Sequence, residues 1–357
     1  MPNPLLHSLR ALRRMAALLC LWLVAALAQA DEGAGFQPLT VDDPVNGGTM
    51  PGFVFYPLVE PSRIVWRGPY EVHATPGARV TDGSKPLVVV SHGHGGSPLG
   101  HHDLAVSLAH HGFIVATIEH PLDNFHDLSG TGTAKVLVGR PIQVKATIDA
   151  LLADAHWNAK IDPGRIGVVG FSAGGYTALM VAGAVPRFSR FLDYCELQPH
   201  DAEICSALAK AKSRGSQGTE LAALQADLRK WGNPADSRVK AAFVMAPLSL
   251  LFDKAGLSSI HAPLFLSYAE NDDVLVPKYN ALSVAPFLKT LTGINRIPKA
   301  GHYVFLSPCS PQLAASAPAI CTDPPEVDRV SVHERINADA LTFFNQALRI
   351  PGQVKDQ

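Results

Sequence analysis

The sequence predicts an α/β fold in which a mostly parallel central sheet is covered by helices on both faces. Three observations predict it. Short apolar runs recur from residue 87 onward, at Leu87-Val88-Val89-Val90, Phe113 to Ile118, Ile166 to Val169, Ala241 to Met245 and Leu264 to Tyr268. Continuous runs of that kind are how strands buried on both faces read. Segments with helical spacing alternate with them, the order of a parallel sheet with crossover helices. The chain has 357 residues, 47% hydrophobic and 17% charged, enough to bury a large core.

Each element follows in order. Gly52 to Tyr56 reads as an early edge strand, and a short strand is expected near Val72 within the Pro-, Gly- and Arg-rich stretch 57–86. The strand Leu87 to Val90 ends in a glycine-rich turn. Leu104 to His111 fits a helix closed by Gly112, and Phe113 to Ile118 is the next strand. Residues 119–140 read as a loop, Ile142 to Ala155 as a helix. Ile166 to Val169 is a strand followed by Gly170 to Gly175 and a helix through Ala184. After the two strands at 241–245 and 264–268, Asn295 to Ile297 is the expected last strand and Glu334 to Leu348 the closing helix. Residues 186–237 break the rhythm. They are mostly polar and helical in pattern, and read as an insertion over the C-terminal edge of the sheet, where ligand sites of open α/β sheets lie. A lid or substrate wall and a solvent-facing decoration are both open readings of it.

The first thirty residues form a leader. Arg10, Arg13 and Arg14 are followed by the apolar run Met15 to Ala28 and by Ala28-Gln29-Ala30, with Asp31 as the first residue after cleavage. The run is shorter than the roughly 20 residues a membrane span requires. The expected organisation is a signal peptide at 1–30 and one α/β domain at 31–357. That implies an exported protein, periplasmic or extracellular, with no integral span after cleavage. Of five cysteines, Cys20 falls in the leader and Cys195, Cys205, Cys309 and Cys321 remain. In an oxidising compartment the simplest pairing is Cys195 with Cys205 and Cys309 with Cys321, although four cysteines permit three connectivities. The formal net charge of −1 gives no basis for binding nucleic acid.

The chemistry centres on Gly170-Phe171-Ser172-Ala173-Gly174, a G-x-S-x-G pentapeptide between a strand and a helix. A strained serine at such a turn needs small neighbours, because the helix packs close behind it. This context makes the expected architecture the α/β-hydrolase fold and Ser172 the candidate nucleophile. A serine hydroxyl requires a base, and the base requires an acid to hold its tautomer. In this fold the acid and then the histidine follow the serine along the chain. His302, in Ala300-Gly301-His302-Tyr303, is the candidate base, with the small Gly301 letting the loop approach the serine. The acid comes from Ala269-Glu270-Asn271-Asp272-Asp273. Asp272 is preferred, three residues past Ala269; Asp273 is the close alternative and Asp253 a distant third. The backbone N–H groups of Ala173 and of His94, in Ser91-His92-Gly93-His94-Gly95-Gly96, are the candidate oxyanion donors.

Eight of the fifteen histidines fall between residues 92 and 126. His110 and His111 close a helix, where positive charge is favoured, and His92 and His94 belong to the glycine-rich turn. No well-spaced carboxylate or cysteine completes a ligand set, so neither a metal nor any other cofactor is expected.

Lys85 to Gly96 (KPLVVVSHGHGG) and Leu104 to Pro121 (LAVSLAHHGFIVATIEHP) resemble the bacterial predicted dienelactone hydrolases, relatives of platelet-activating-factor acetylhydrolase. Asp43-Pro44, Phe55-Tyr56-Pro57 and Gly139-Arg140-Pro141 extend the resemblance, which covers roughly residues 40 to 348. It implies an α/β-hydrolase acting on esters. Dienelactone hydrolases proper use a cysteine nucleophile where this chain has Ser172. The acetylhydrolase branch places its acid after the strand matching Ala241 to Met245, where this chain has Ala246 and Pro247; the acid then comes from after the next strand, which favours Asp272. The implied activity is two-step acyl transfer on a small-molecule or lipid-like carboxylic ester, with small or short-acyl esters first and polyesters or oxidised-phospholipid acetyl groups as alternatives. A non-catalytic envelope protein on the same fold is the reading of another class.

Overall fold

The computed structural model describes residues 33–349; the signal peptide expected at residues 1–30 lies outside them. The N-terminal part carries β1 (Gly33–Asp42), β2 (Thr49–Leu58), the hairpin of β3 (Ile64–Arg67) and β4 (Tyr70–His73), and the short β5 (Thr75–Pro76). The alternating part follows with β6 (Lys85–Ser91), α1 (His102–His110), β7 (Ile114–Ile118), α2 (Gly139–Ala153), β8 (Ile161–Phe171) and α3 (Ala173–Val181). Three helices come next, α4 (Arg190–Leu197), α5 (Ala202–Ser213) and α6 (Gln217–Trp231). The chain closes with β9 (Val239–Met245), β10 (Leu264–Ala269), β11 (Leu291–Ile297) and α7 (Arg329–Ala347).

Among the described residues nine strands form one sheet in the order β11-β10-β9-β8-β6-β7-β2-β1-β5. From β7 through β11 all neighbours are parallel, whereas β2 and β1 add antiparallel strands. Period-two geometry divides β6 between the faces. Leu87 and Val89 join the core under α2 and α3, with Val144, Ile148 and Leu179. Val88 and Val90 join the core under α1 and α7, with Leu104, Leu108 and Phe344. Both faces are therefore covered, which is why these strands read as unbroken apolar runs.

Three expectations change. Gly52 to Tyr56 is not an edge strand: β2 pairs with β7 on one side and with β1 on the other. The covering strand β1 was not legible, because Gly33-Ala34-Gly35-Phe36-Gln37-Pro38 has no apolar run; its glycines serve close packing. A Cβ at Gly35 would lie 2.4 Å from the Tyr56 ring. Strand β8 starts five residues before Ile166, and β11 starts four before Asn295. The short strand near Val72 is half of a separate hairpin. Among the described residues no helix is long and apolar enough to cross a membrane. The two disulfides are Cys195–Cys205 and Cys309–Cys321, as the spacing suggests.

Candidate active site

The parallel strands end together, since Ser91 pairs with Ile118 and Gly170, and Phe171 with Met245. The loops that follow β6, β8, β10 and β11 meet there. Ser172 lies between β8 and α3 with φ +56° and ψ −117°. That conformation costs a non-glycine residue on the order of 1–3 kcal/mol, and the surroundings impose it. The Ser172 N–H donates to the Met245 carbonyl (2.9 Å), and its own carbonyl accepts from the N–H groups of Tyr176 (3.1 Å) and Leu248 (3.0 Å). Bare glycines let the turn close. A Cβ at Gly170 would sit 1.9 Å from the Gly174 carbonyl oxygen, and one at Gly174 would sit 1.9 Å from that of Ser91.

His302 opens the 3-10 turn His302–Phe305 after β11. Its Nε2 lies 3.0 Å from Ser172 Oγ and its Nδ1 2.7 Å from Asp272 Oδ2. The other carboxylate oxygen of Asp272 accepts from the N–H groups of Val274 (3.0 Å) and Leu275 (2.6 Å). Those bonds fix the carboxylate, so the imidazole carries its proton on Nδ1 and presents Nε2 as acceptor to the serine hydroxyl. Ser172, Asp272 and His302 are 8%, 4% and 3% exposed, and Phe171 packs on the His302 ring at 4.8 Å between centroids. The alternatives fall elsewhere. Asp273 is exposed. Asp253 caps the short helix Lys254–Leu257 through the Gly256 N–H and pairs with Arg187. Gly301 is not needed for close approach: a Cβ there meets nothing within 4 Å, and its φ is −91°.

Ala173 is the first residue of α3, so its N–H has no acceptor within the helix. It lines, with Ser172 and His94, a cavity of about 500 Å³. The cavity wall is mostly apolar, with Val136 and Leu137 on one side and Phe191, Ile204, Leu221 and Leu224 from the insertion. Residues 186–237 thus contribute wall to the space in front of Ser172. A second cavity of about 780 Å³ shares His94 with the first and is lined by Phe53, Tyr70, Phe171, Tyr303 and Leu306, among others.

Two residues behind the glycine-rich turn belong to the site without any sequence motif of their own. Asp123 receives His94 Nδ1–H (2.5 Å) and the Gly95 N–H (3.2 Å) on one oxygen and Arg140 Nη1 (2.6 Å) on the other. Arg140 also donates to Ser91 Oγ (3.2 Å) and to the His92 carbonyl. Both side chains are 1% exposed. Burial alone would raise the Asp123 carboxyl, but the Arg140 charge and the His94 bond outweigh it and hold it well below the ordinary carboxylate range. One signal was in view: an arginine in the otherwise apolar start of α2 needs a partner when the helix is covered.

Within the histidine cluster, His92 and His120 are held as structural groups by paired hydrogen bonds. Burial, and then the Arg140 charge, push His92 down to about 3. Its Nδ1–H donates to the Gly93 carbonyl (2.7 Å), and its Nε2 accepts from the His120 N–H (3.1 Å). His120 donates from Nδ1 to Gln143 Oε1 (2.7 Å) and accepts from Ser91 Oγ (2.8 Å). Among the described residues no group of three His, Cys, Asp or Glu side chains could hold a metal ion.

Residues 68–135 match the sequence model of platelet-activating factor acetylhydrolase, isoform II. That span holds the glycine-rich turn and Asp123, and stops short of Ser172, Asp272 and His302. No curated protein matches the sequence. Among solved structures, a ferulic acid esterase from Streptomyces cinnamoneus superposes with a TM-score of 0.58 at 19% identity, over 93% of this chain and 94% of that one. The chain has the α/β-hydrolase fold. Its mostly parallel sheet, with helices on both faces and the site at the strand ends, is this fold's arrangement.

Proposed function

We propose that this chain is an exported carboxylic ester hydrolase using Ser172, His302 and Asp272. One observation carries the reading: Ser172 Oγ is 3.0 Å from His302 Nε2, while Nδ1 of the same ring is 2.7 Å from Asp272. His302 takes the serine proton as Oγ bonds to the ester carbonyl carbon. The carbonyl oxygen becomes an oxyanion, held by the N–H groups of Ala173 and His94, and each such donor contributes about 3–4 kcal/mol to the transition state. Asp272 stabilises the imidazolium. His302 returns the proton to the leaving alkoxide as the C–O bond breaks. Water, deprotonated by the same imidazole, then releases the acid from Ser172.

The acyl group occupies the cavity of about 500 Å³ beside Ser172, and small or short-acyl esters are the first substrates. The insertion 186–237 is part of the single domain and acts as the wall, or lid, over that space. The second cavity, which shares His94, favours one alternative: an ester apolar on both sides of the carbonyl, as in a polyester. Export rests on the leader at 1–30 together with two disulfides.

The test is labelling with a fluorophosphonate, followed by a p-nitrophenyl ester series of rising acyl length. Labelling that disappears in Ser172→Ala, with hydrolysis best for short chains, is the expected outcome. No labelling would leave the non-catalytic reading. Activity on long chains only would remove the short-acyl preference.

A further inference from the structure

The segment after His302 is tied down by a charge cluster, His333 buried and Asp103 partly buried, that takes no part in the chemistry above. His333, on α7, is 4% exposed. Its Nδ1 lies 2.6 Å from Asp103 Oδ2 and its Nε2 2.9 Å from the Val304 carbonyl oxygen. A carboxylate and a carbonyl only accept, so both ring nitrogens must donate and the ring is an imidazolium. Asp103, on α1, also receives Ser307 Oγ (2.5 Å) and Asn337 Nδ2 (3.0 Å). His101 donates from Nδ1 to the Phe305 carbonyl (3.0 Å), and the Ser307 N–H donates to the Gly100 carbonyl (3.0 Å). Residues 304, 305 and 307 are therefore each bonded to the start of α1 or to α7, within five residues of His302.

We propose that Asp103 and His333 are positioning residues for His302: their ion pair holds the 302–307 loop so that Nε2 stays within reach of Ser172. The proposal rests on the reading of His302 as the base. The charges facing the pair agree with it. Burial lowers the basicity of His333, but the Asp103 carboxylate overrides this and raises the ring above its ordinary value, with Arg329 opposing. Arg329 is itself paired with Asp323. Burial would raise the Asp103 carboxyl; the charge and hydrogen bond of His333 hold it far below its ordinary range. His102 and His101, the other rings beside Asp103, are lowered first by burial, and His73 and Glu71 face His102 from β4. A raised histidine keeps its contribution below the unfolded imidazole value and loses it as pH rises through the folded one. The loop therefore loosens on the alkaline side.

The experiment compares wild type, His333→Gln and Asp103→Asn by far-UV circular dichroism and by kcat and KM for p-nitrophenyl acetate across pH. Folded variants are expected to lose on the order of 100-fold in kcat, since small misplacements of a catalytic group cost that much, with KM within about twofold. Wild-type kcat is expected to fall on the alkaline side, and His333→Gln to lack that limb. A folded variant with wild-type kcat, or one keeping the same alkaline limb, would overturn the proposal. Should the variants not fold, nitrogen NMR of ring-labelled wild type at about pH 6.5, where an unperturbed imidazole is half protonated, decides. Two protonated nitrogens on His333 support the inference, and a neutral ring refutes it. If Ser172→Ala hydrolyses the ester as wild type does, the functional reading itself fails, whatever His333 does.

Discussion

The glycine-rich loop 92–96 and the loop 302–307 both approach Ser172, and an ion pair stands behind each, fully buried behind the first and partly exposed at its carboxylate behind the second. Behind the first, Arg140 holds Asp123, which holds His94 and the Gly95 N–H. Behind the second, His333 holds Asp103 and the Val304 carbonyl. The carboxylates are alike: both lie well below their ordinary range because a cation outweighs the burial cost. The cations differ. A guanidinium stays charged at every accessible pH, whereas an imidazolium does not. A lowered carboxyl contributes above its unfolded value and is lost as pH falls through the folded one, so both clamps weaken in strong acid. Only the clamp on 302–307 also weakens in alkali. Two loops of one site can thus share an architecture and differ in pH tolerance through a single residue type.

The comparison can be broken by experiment, starting with the largest expected effect. Arg140→Met leaves Asp123 buried without its cation, and removing one partner of such a pair costs about 3–5 kcal/mol. Urea unfolding measures it; a loss below about 1 kcal/mol would mean that the pair is not what holds the loop. Next come the disulfides. Cys195–Cys205 joins α4 to α5 in the insertion, and Cys309–Cys321 closes the segment beside Arg329. Replacing either pair with serines should cost about 2–3 kcal/mol for loops of this length, and the same unfolding curve reads it. Loss of the first should change acyl-length preference, and loss of the second kcat, if the two regions serve separate parts of the site.

On kcat, Asp123→Asn, which keeps the shape but loosens His94, is expected to have a modest effect, while its unfolding cost should approach that of Arg140→Met, since Arg140 is left buried without its counter-charge. A fall of about tenfold in kcat corresponds to about 1.4 kcal/mol. Its alkaline limb should match wild type, unlike that of His333→Gln, and a shared change would erase the distinction between the loops. Leu221→Ala in the cavity wall acts on selectivity, and not on stability or on the overall rate. Enlarging an apolar pocket by a few methylenes changes selectivity by about 1–3 kcal/mol at most. Relative kcat/KM should move toward longer acyl chains, and an unchanged ratio would place the insertion outside the substrate's reach.

What the sequence shows on its own is local. Gly170 to Gly174 carries its own turn chemistry, so the strained serine needs no distant contact to be recognised. The runs at 87–90 and 166–169 are apolar because both sheet faces are covered, and periodicity reports that directly. His302 and the acidic pair Asp272-Asp273 follow from chain order. Spacing ranks Asp272 ahead of Asp273 but does not separate them, since neighbouring residues share almost every composition cue. Only the backbone path turns Asp272 inward onto the Val274 and Leu275 N–H groups and leaves Asp273 exposed.

Strand β1 stayed hidden because its glycines are selected by a close neighbour, Tyr56, and not by a pattern of their own. The clamps stayed hidden for a related reason. Asp103 and His333 are 230 residues apart, and each reads alone as an ordinary polar residue on a helix. A charge becomes part of a site when its partner and its exclusion from water are both present, and those are properties of packing. The sequence by itself determined that a serine sits at a strained turn of an α/β fold with a histidine and an acid downstream. Tertiary structure decided which carboxylate meets the histidine, and which buried cations keep the two loops in place, because burial and pairing exist only once distant segments touch.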